Sequence, residues 1–275
     1  MFKVFIIAFF FLVASYLSNA QTKLTKVWET DTLLPVPESV LLKEDEQALY
    51  VSLIGKGDAS AADNNGSIAK LDMDGNIQAQ DWISGLNSPK GMALHNTYLY
   101  VADLQELVVI DIESETIVNK IAMPEVGMFN DVTASSNGTI YVSDSKGGKI
   151  YVLKDDKLTV FLDGLTNPNG VLAEGISFYF VDSGALYEVT TDKKINKLAD
   201  GMEKSTDGLQ KDEENFLISC WAGLIYYVTP DGKVEELKDS RIEKMNTADF
   251  AFSSRTRTLF VPTFFKNKVI AYKLE

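Results

Sequence analysis

After its first twenty residues, the chain consists of short apolar strands in a pattern that recurs about every forty residues, a period typical of propeller blades or solenoid units. In each opening the second residue, which is polar in five units and Ala in the last, is followed by Gly, Asp or Ser and then by a short apolar run. A turn and a second run rich in β-branched and aromatic residues follow, which indicates a hairpin. The openings are PESVLL at Pro37, PKGMAL at Pro89, FNDVTA at Phe129, PNGVLA at Pro168, TDGLQK at Thr206 and TADFAF at Thr247. The second strands are ALYVSL, YLYVAD, TIYVSD, FYFVDS, FLISCW and TLFVPT.

The two ends of the chain complete this pattern. A third strand follows in every unit, and most units add a weaker fourth strand, but the last unit stops at Glu275 after its third. Residues 24–30 precede the first unit as an unassigned strand. In a closed propeller this strand can complete the last blade and remove an exposed edge. The sequence therefore predicts an all-β fold, a six-bladed β-propeller with four-stranded blades, as one domain of residues 21–275. A β-sandwich lacks a repeat of this period, and an open solenoid needs caps.

The first twenty residues have the pattern of a signal peptide. Lys3 supplies a positive charge, an apolar run follows, and Ser18, Asn19 and Ala20 offer small residues for cleavage before Gln21. The alternative is a membrane anchor, but roughly fourteen apolar residues fall short of the ~20 that a spanning helix needs. We expect cleavage near Ala20, a secreted or periplasmic mature protein, and no membrane attachment afterwards.

Charge and cysteine content narrow the classes of partner. The formal net charge is −13, from 39 acidic and 26 basic residues, which repels phosphate backbones and anionic membrane surfaces. Nucleic acid is therefore not an expected partner, and the acidic residues, spread along the chain, are typical of a solvated surface. The single Cys220 cannot form an internal disulfide. We expect a monomer whose partner is a small-molecule substrate or ligand.

The repeat also aligns polar positions at one end of the predicted channel. In each blade the innermost strand begins beside the central axis, so the residues at its opening share one space. The aligned residues are Glu38, Lys90, Asn130, Asn169, Asp207 and Ala248. Two carboxylates and two amides, without Cys or His, suit calcium better than magnesium and disfavour zinc. The alternative is a water-filled channel whose polar residues hold no ion, with Lys90 offsetting part of the negative charge.

These openings resemble those of the senescence-marker-protein/gluconolactonase family, and more distantly the paraoxonases and diisopropylfluorophosphatase. The resemblance covers nearly all of the mature chain. It implies a six-bladed propeller with one divalent cation, usually calcium, with Mg²⁺, Mn²⁺ and Zn²⁺ as less favoured ions. The implied ligands are Glu38 of PESVLL, Asn169 of PNGVLA and Asp207 of TDGLQK, while Asn130 of FNDVTA matches a family Asn that serves as a ligand or a substrate contact.

Two departures limit what the resemblance implies. The paraoxonases have a channel His where this chain has Lys90, so a His-based proton relay is not supported. The single His95 lies at the far end of its strand, where we expect a surface turn on the opposite face. Strand direction places Trp221, Phe264 and Phe265 on the rim of the site, either as a substrate wall or as packing between loops. Asp103, Asp144 and Asp182 occupy matching positions, which favours repeated loop-capping hydrogen bonds over catalysis.

The expected activity is hydrolysis of a small lactone or related ester with a divalent metal. Asp207 resembles the family residue that acts as general base or nucleophile, and a metal-bound carboxylate suits positioning or attack better than strong proton abstraction. Lys90, Asn130 and Trp221 are the candidate substrate contacts. The alternative is a non-catalytic propeller that binds a ligand or a protein and holds a structural ion.

Overall fold

The structure is a computed structural model that describes residues 22–275, and the predicted signal peptide lies outside these residues. Six four-stranded antiparallel sheets form the blades of a β-propeller. The first strand, β1 (Leu24–Glu29), belongs to the last blade. Blade 1 contains β2 (Pro37–Lys43), β3 (Ala48–Leu53), β4 (Gly66–Asp72) and β5 (Ile77–Leu86). Blade 2 contains β6 (Pro89–His95), β7 (Tyr98–Asp103), β8 (Glu106–Asp111) and β9 (Thr116–Ala122). Blade 3 contains β10 (Phe129–Ala134), β11 (Ile140–Asp144), β12 (Lys149–Lys154) and β13 (Lys157–Leu162).

The second half of the ring repeats this order. Blade 4 contains β14 (Pro168–Glu174), β15 (Ser177–Asp182), β16 (Ala185–Val189) and β17 (Ile195–Ala199). Blade 5 contains β18 (Thr206–Asp212), β19 (Asn215–Cys220), β20 (Leu224–Val228) and β21 (Val234–Asp239). Blade 6 contains β22 (Ala251–Ser253), β23 (Thr258–Pro262) and β24 (Val269–Leu274), with a short 3₁₀ helix at Phe264–Lys266. Residues 22–275 contain no helix with the length and hydropathy of a membrane span.

The N-terminal strand completes the last blade, as predicted. β1 pairs antiparallel with β24 from Leu24 opposite Leu274, and a bulge lies between Lys26 and Trp28. The Trp28 indole packs on Phe260 at 5.8 Å between ring centroids and donates a hydrogen bond of 3.0 Å to the Met73 carbonyl in blade 1. This strand therefore joins the two ends of the chain and also ties blade 6 to blade 1.

The core is divided among the spaces between neighbouring blades. One apolar cluster lies between each pair of adjacent sheets, including the pair formed by blades 6 and 1. A central strand is thus covered on both faces, and every residue of β3 is buried. This explains why the second strands are almost continuously apolar and do not alternate.

The innermost strand of blade 6 is shorter than the sequence pattern predicts. The apolar run from Thr247 suggests a strand there, but β22 begins only at Ala251. The Asp249 amide donates to the Glu38 carbonyl at 3.0 Å, and the Val40 amide donates to the Asp249 carbonyl at 3.2 Å. Residue 249 therefore pairs in parallel with blade 1, and this bridge closes the ring at the channel.

Candidate functional site

The predicted site residues come together at one end of the channel. Their side chains line a single cavity of about 320 Å³ at the openings of the innermost strands. The predicted residues in its wall are Glu38, Lys90, Asn130, Asn169, Asp207 and Trp221. The sixth aligned position, Ala248, is completely buried and packs against Ile54 and Phe264 beside the cavity.

A bulge at each opening turns these side chains toward the axis. In blade 2, Pro89 pairs with Asp103 and Met92 with Val101, so residues 90 and 91 are opposite a single residue of β7. The same shift occurs at the openings of blades 1, 3, 4 and 5. Because a bulge leaves residues outside the ladder and re-aims their side chains, the site residues face the cavity.

Serines of the second strands satisfy the backbone at three of these bulges. The amide after the site residue donates to the Ser hydroxyl at 2.8–2.9 Å in blades 1, 3 and 5. The three serines are Ser52, Ser143 and Ser219. They are the fifth residues of ALYVSL, TIYVSD and, with β19 beginning at Asn215, NFLISC, so the second strands contained a signal for the bulges.

The repeated aspartates cap the loops that precede the openings, as predicted. Asp182 accepts hydrogen bonds from the amides of Thr166 at 2.8 Å and Asn167 at 2.9 Å, just before Pro168. Asp103 and Asp144 accept the equivalent amides in blades 2 and 3. Each carboxylate therefore fixes the backbone that leads into a site residue.

Three buried oxygen atoms in the cavity have no hydrogen-bond partner. They are Glu38 Oε2, Asn169 Oδ1 and Asp207 Oδ1. An unsatisfied buried acceptor costs about 1–3 kcal/mol, and a charged one costs more. Carboxylate and amide oxygens are the donors that calcium prefers, so this set fits a hard divalent cation. Within residues 22–275 no group of three or more His, Cys, Asp or Glu side chains could hold a metal ion, so the fit depends on the Asn169 amide.

Burial perturbs the two carboxyl groups of this set. It raises the pKa of Glu38 from 4.5 to about 8, with Lys90 opposing the rise and Asp249 adding to it. Burial also raises the pKa of Asp207 well above its usual range, and the charges of Glu38 and Asp249 add to that rise. Desolvation and like charges both disfavour an ionised carboxylate, so a nearby cation would stabilise the ionised forms of both groups.

A second pair of buried acids lies deeper in the channel, and the alignment of strand openings missed it. Asp131 and Asp249 line a cavity of about 330 Å³ at the opposite end of the channel. Asp131 accepts hydrogen bonds from two backbone amides at 2.7 and 2.8 Å, and Asp249 accepts one of 2.5 Å from the Ser39 hydroxyl. A Cβ atom at Gly91 would lie 2.2 Å from Asp131 Oδ1, and one at Gly208 would lie 2.6 Å from Asp249 Oδ1. The glycines of the openings therefore make room for these carboxylates.

The rim aromatics form both a wall and a packed cluster. Trp221 and Phe264 line the cavity, whereas Phe265, 62% exposed, packs edge-on against both outside it. His95 ends β6 at the other end of the strand from Lys90, and its ring lies over Gly138 in the neighbouring blade. His95 is therefore remote from the site, as expected.

The fold and the site together define a six-bladed propeller with side-chain oxygen donors grouped at one mouth of its channel. The chain belongs to the SMP-30/Gluconolactonase/LRE-like family, whose profile matches residues 36–265. No curated protein matches the sequence.

Solved structures with the same fold are named after different enzyme activities. A catalytically inactive virginiamycin B lyase from Staphylococcus aureus, solved with quinupristin, is 14% identical with a TM-score of 0.66, covering 93% of this chain and 100% of its own. A streptogramin B lyase is 14% identical with a TM-score of 0.66, covering 92% and 97%. A structural-genomics target provisionally named a gluconolactonase is 15% identical with a TM-score of 0.66, covering 93% of both chains. At this identity the likeness shows the fold alone.

Proposed function

We propose that the cavity binds one divalent cation, calcium by its donor chemistry, and that the protein is a metal-dependent hydrolase of a small lactone or related ester. The observation that carries this proposal is the set of three unpartnered oxygens on Glu38, Asn169 and Asp207. Three blades present these atoms to one cavity, and membership of a family that includes gluconolactonases supports the lactone as substrate class.

The cation would be held by Glu38, Asn169 and Asp207, with Asn130 adjacent. When bound, it supplies Lewis acidity toward the ester carbonyl. Ligation makes the Asp207 carboxylate a weaker base. Asp207 therefore positions the attacking water and accepts its proton only as the water oxygen bonds to the carbonyl carbon, then returns that proton to the alkoxide that leaves when the ring C–O bond breaks. The product is the hydroxy acid.

The remaining cavity residues bind and orient the substrate. The Asn130 amide donates a hydrogen bond to substrate oxygens, and Lys90 supplies a positive charge from the opposite side. Trp221 and Phe264 form the apolar part of the wall. With the expected leader, the protein would act as a monomer outside the cytoplasm, where millimolar calcium suits a site of few protein ligands.

The experiment is a panel of lactones and esters incubated with purified protein, with and without chelator. We expect hydrolysis of at least one lactone, loss of that activity in chelator, and recovery when calcium is restored. Absence of hydrolysis by protein with its metal fully bound would contradict the enzyme proposal and favour a ligand-binding propeller. Hydrolysis that persists in chelator would contradict the metal dependence.

A further inference from the structure

The cavity is chemically divided across the ring. Lys90 opens the innermost strand of blade 2, whereas Trp221 follows the second strand of blade 5, and these blades are opposite each other in a six-membered ring. Phe264 extends the aromatic side into blade 6, and Lys146 extends the cationic side into blade 3. The oxygen donors of blades 1, 4 and 5 lie at the openings of the same ring.

Lys90 is a buried cation without an ion-pair partner. Its side chain lines the cavity, and the residue is only 5% exposed. Among the described residues, the hydrogen bond that its Nζ makes is a long one, 3.4 Å to Ser88 Oγ, and no carboxylate lies within 4.0 Å of it. Ser88 in turn donates to the Ala59 carbonyl at 2.6 Å. The loop that contains Ala59 and Ser60 therefore covers this side of the cavity.

The proposed cation would occupy the two carboxylates nearest to Lys90. Glu38 and Asp207 would ligate the ion, and neither makes an ion pair with Lys90 within 4.0 Å. Water solvates the exposed Lys146, whereas Lys90 is buried. A buried charge without a partner is costly. Asp131 and Asp249 make no ion pair with Lys90 either, because they line the opposite cavity and are hydrogen-bonded there.

We propose that the substrate is an amphipathic monoanion, whose carboxylate pairs with Lys90 and whose apolar, planar part packs on Trp221 and Phe264. This inference rests on the proposed function, because it assumes the cation between the two sides. A cavity of about 320 Å³ limits such a compound to a small one. Lys90 offers one buried positive charge, so a ligand with a single carboxylate would balance it.

Direct binding tests this inference independently of catalysis. The probes are phenylbutanoate, its neutral amide phenylbutyramide, and butanoate, titrated calorimetrically into calcium-loaded protein. We expect phenylbutanoate to bind at least about tenfold more tightly than the amide, as a charge-assisted hydrogen bond predicts. Butanoate should also bind at least about tenfold more weakly, because it lacks the aromatic ring.

Two variants assign the preferences to residues. Lys90→Met should abolish the preference for the carboxylate over the amide, and Trp221→Ala should abolish the preference for the aryl chain. Lys149→Gln is the control, because Lys149 begins β12 at the same end of the ring as Lys90 but does not line the cavity. This variant should retain both preferences.

Three results would overturn the inference. The first is equal binding of phenylbutanoate and its amide. The second is a carboxylate preference that survives Lys90→Met, since the cation and not Lys90 would then bind the carboxylate. The third is a carboxylate preference that Lys149→Gln loses as well, which would attribute the preference to the overall charge of this end of the protein and not to Lys90. A protein that hydrolyses no lactone but shows the expected binding would contradict the proposed hydrolase and leave the ligand class intact.

Discussion

Removal of divalent cations should make the folded protein lose stability as the pH rises from about 5 to 8. The cause is the buried Glu38 carboxyl, whose pKa burial raises from 4.5 to about 8. Between these values the folded protein keeps a proton that the unfolded chain has released. Because the unfolded chain binds fewer protons in this window, the free energy of unfolding falls with rising pH.

The size of this effect follows from the pKa shift. The Glu38 carboxyl alone should lower the free energy of unfolding by on the order of 3 kcal/mol between pH 5 and pH 8. Burial also raises the pKa values of Asp131 and Asp207, and it raises that of Asp249 to about 6, so their contributions have the same sign. Calcium should reverse the trend, because it binds the ionised carboxylates and its affinity rises as protons leave.

The assay is urea unfolding in chelator at a series of pH values, on the wild type and on Glu38→Gln. The variant lacks the titrating group but retains its shape, so the difference between the two profiles isolates Glu38. We expect the wild-type profile to be steeper by on the order of 3 kcal/mol across the window. Parallel profiles in chelator, or a wild type that gains stability with pH relative to the variant, would refute this reasoning.

Three further substitutions test the site and the closure of the ring. Asp207→Asn should lower lactone turnover by about a hundredfold with the metal still bound. The turnover lost in Glu38→Gln should recover in excess calcium. If excess calcium restored the turnover of both variants, Asp207 would be only a metal ligand. Asp182→Ala should weaken calcium binding about tenfold by calorimetry, because Asp182 holds the backbone that leads into the blade 4 opening, and an unchanged affinity would contradict that role. Trp28→Ala should cost about 2–3 kcal/mol of unfolding free energy, while Val27→Ala at an exposed position should cost little; equal losses would contradict the closure by β1.

Much of the fold was readable from the sequence because the repeat is regular. Glu38, Asn169 and Asp207 occupy the same position of three innermost strands, and that register alone brought them to one cavity. The missing fourth strand of blade 6 likewise identified β1 as the completing strand. These inferences needed only a count of strands and their direction.

The remaining features of the channel depend on local backbone geometry, which a pattern of strands does not specify. Strict alternation would direct Asp131 away from Asn130, but the bulge at the blade 3 opening leaves both beside the channel. The strand pattern does not predict the position of Asp249, because its backbone pairs with blade 1 and not with its own blade. The burial of Lys90 also depends on a covering loop that carries no strand pattern of its own.

The structure of the protein crystallised with calcium tests the proposed metal site most directly. We expect one cation with the side-chain oxygens of Glu38, Asn169 and Asp207 about 2.3–2.6 Å away. An ion bound elsewhere, or no ion in this cavity at a calcium concentration that stabilises the protein, would contradict it.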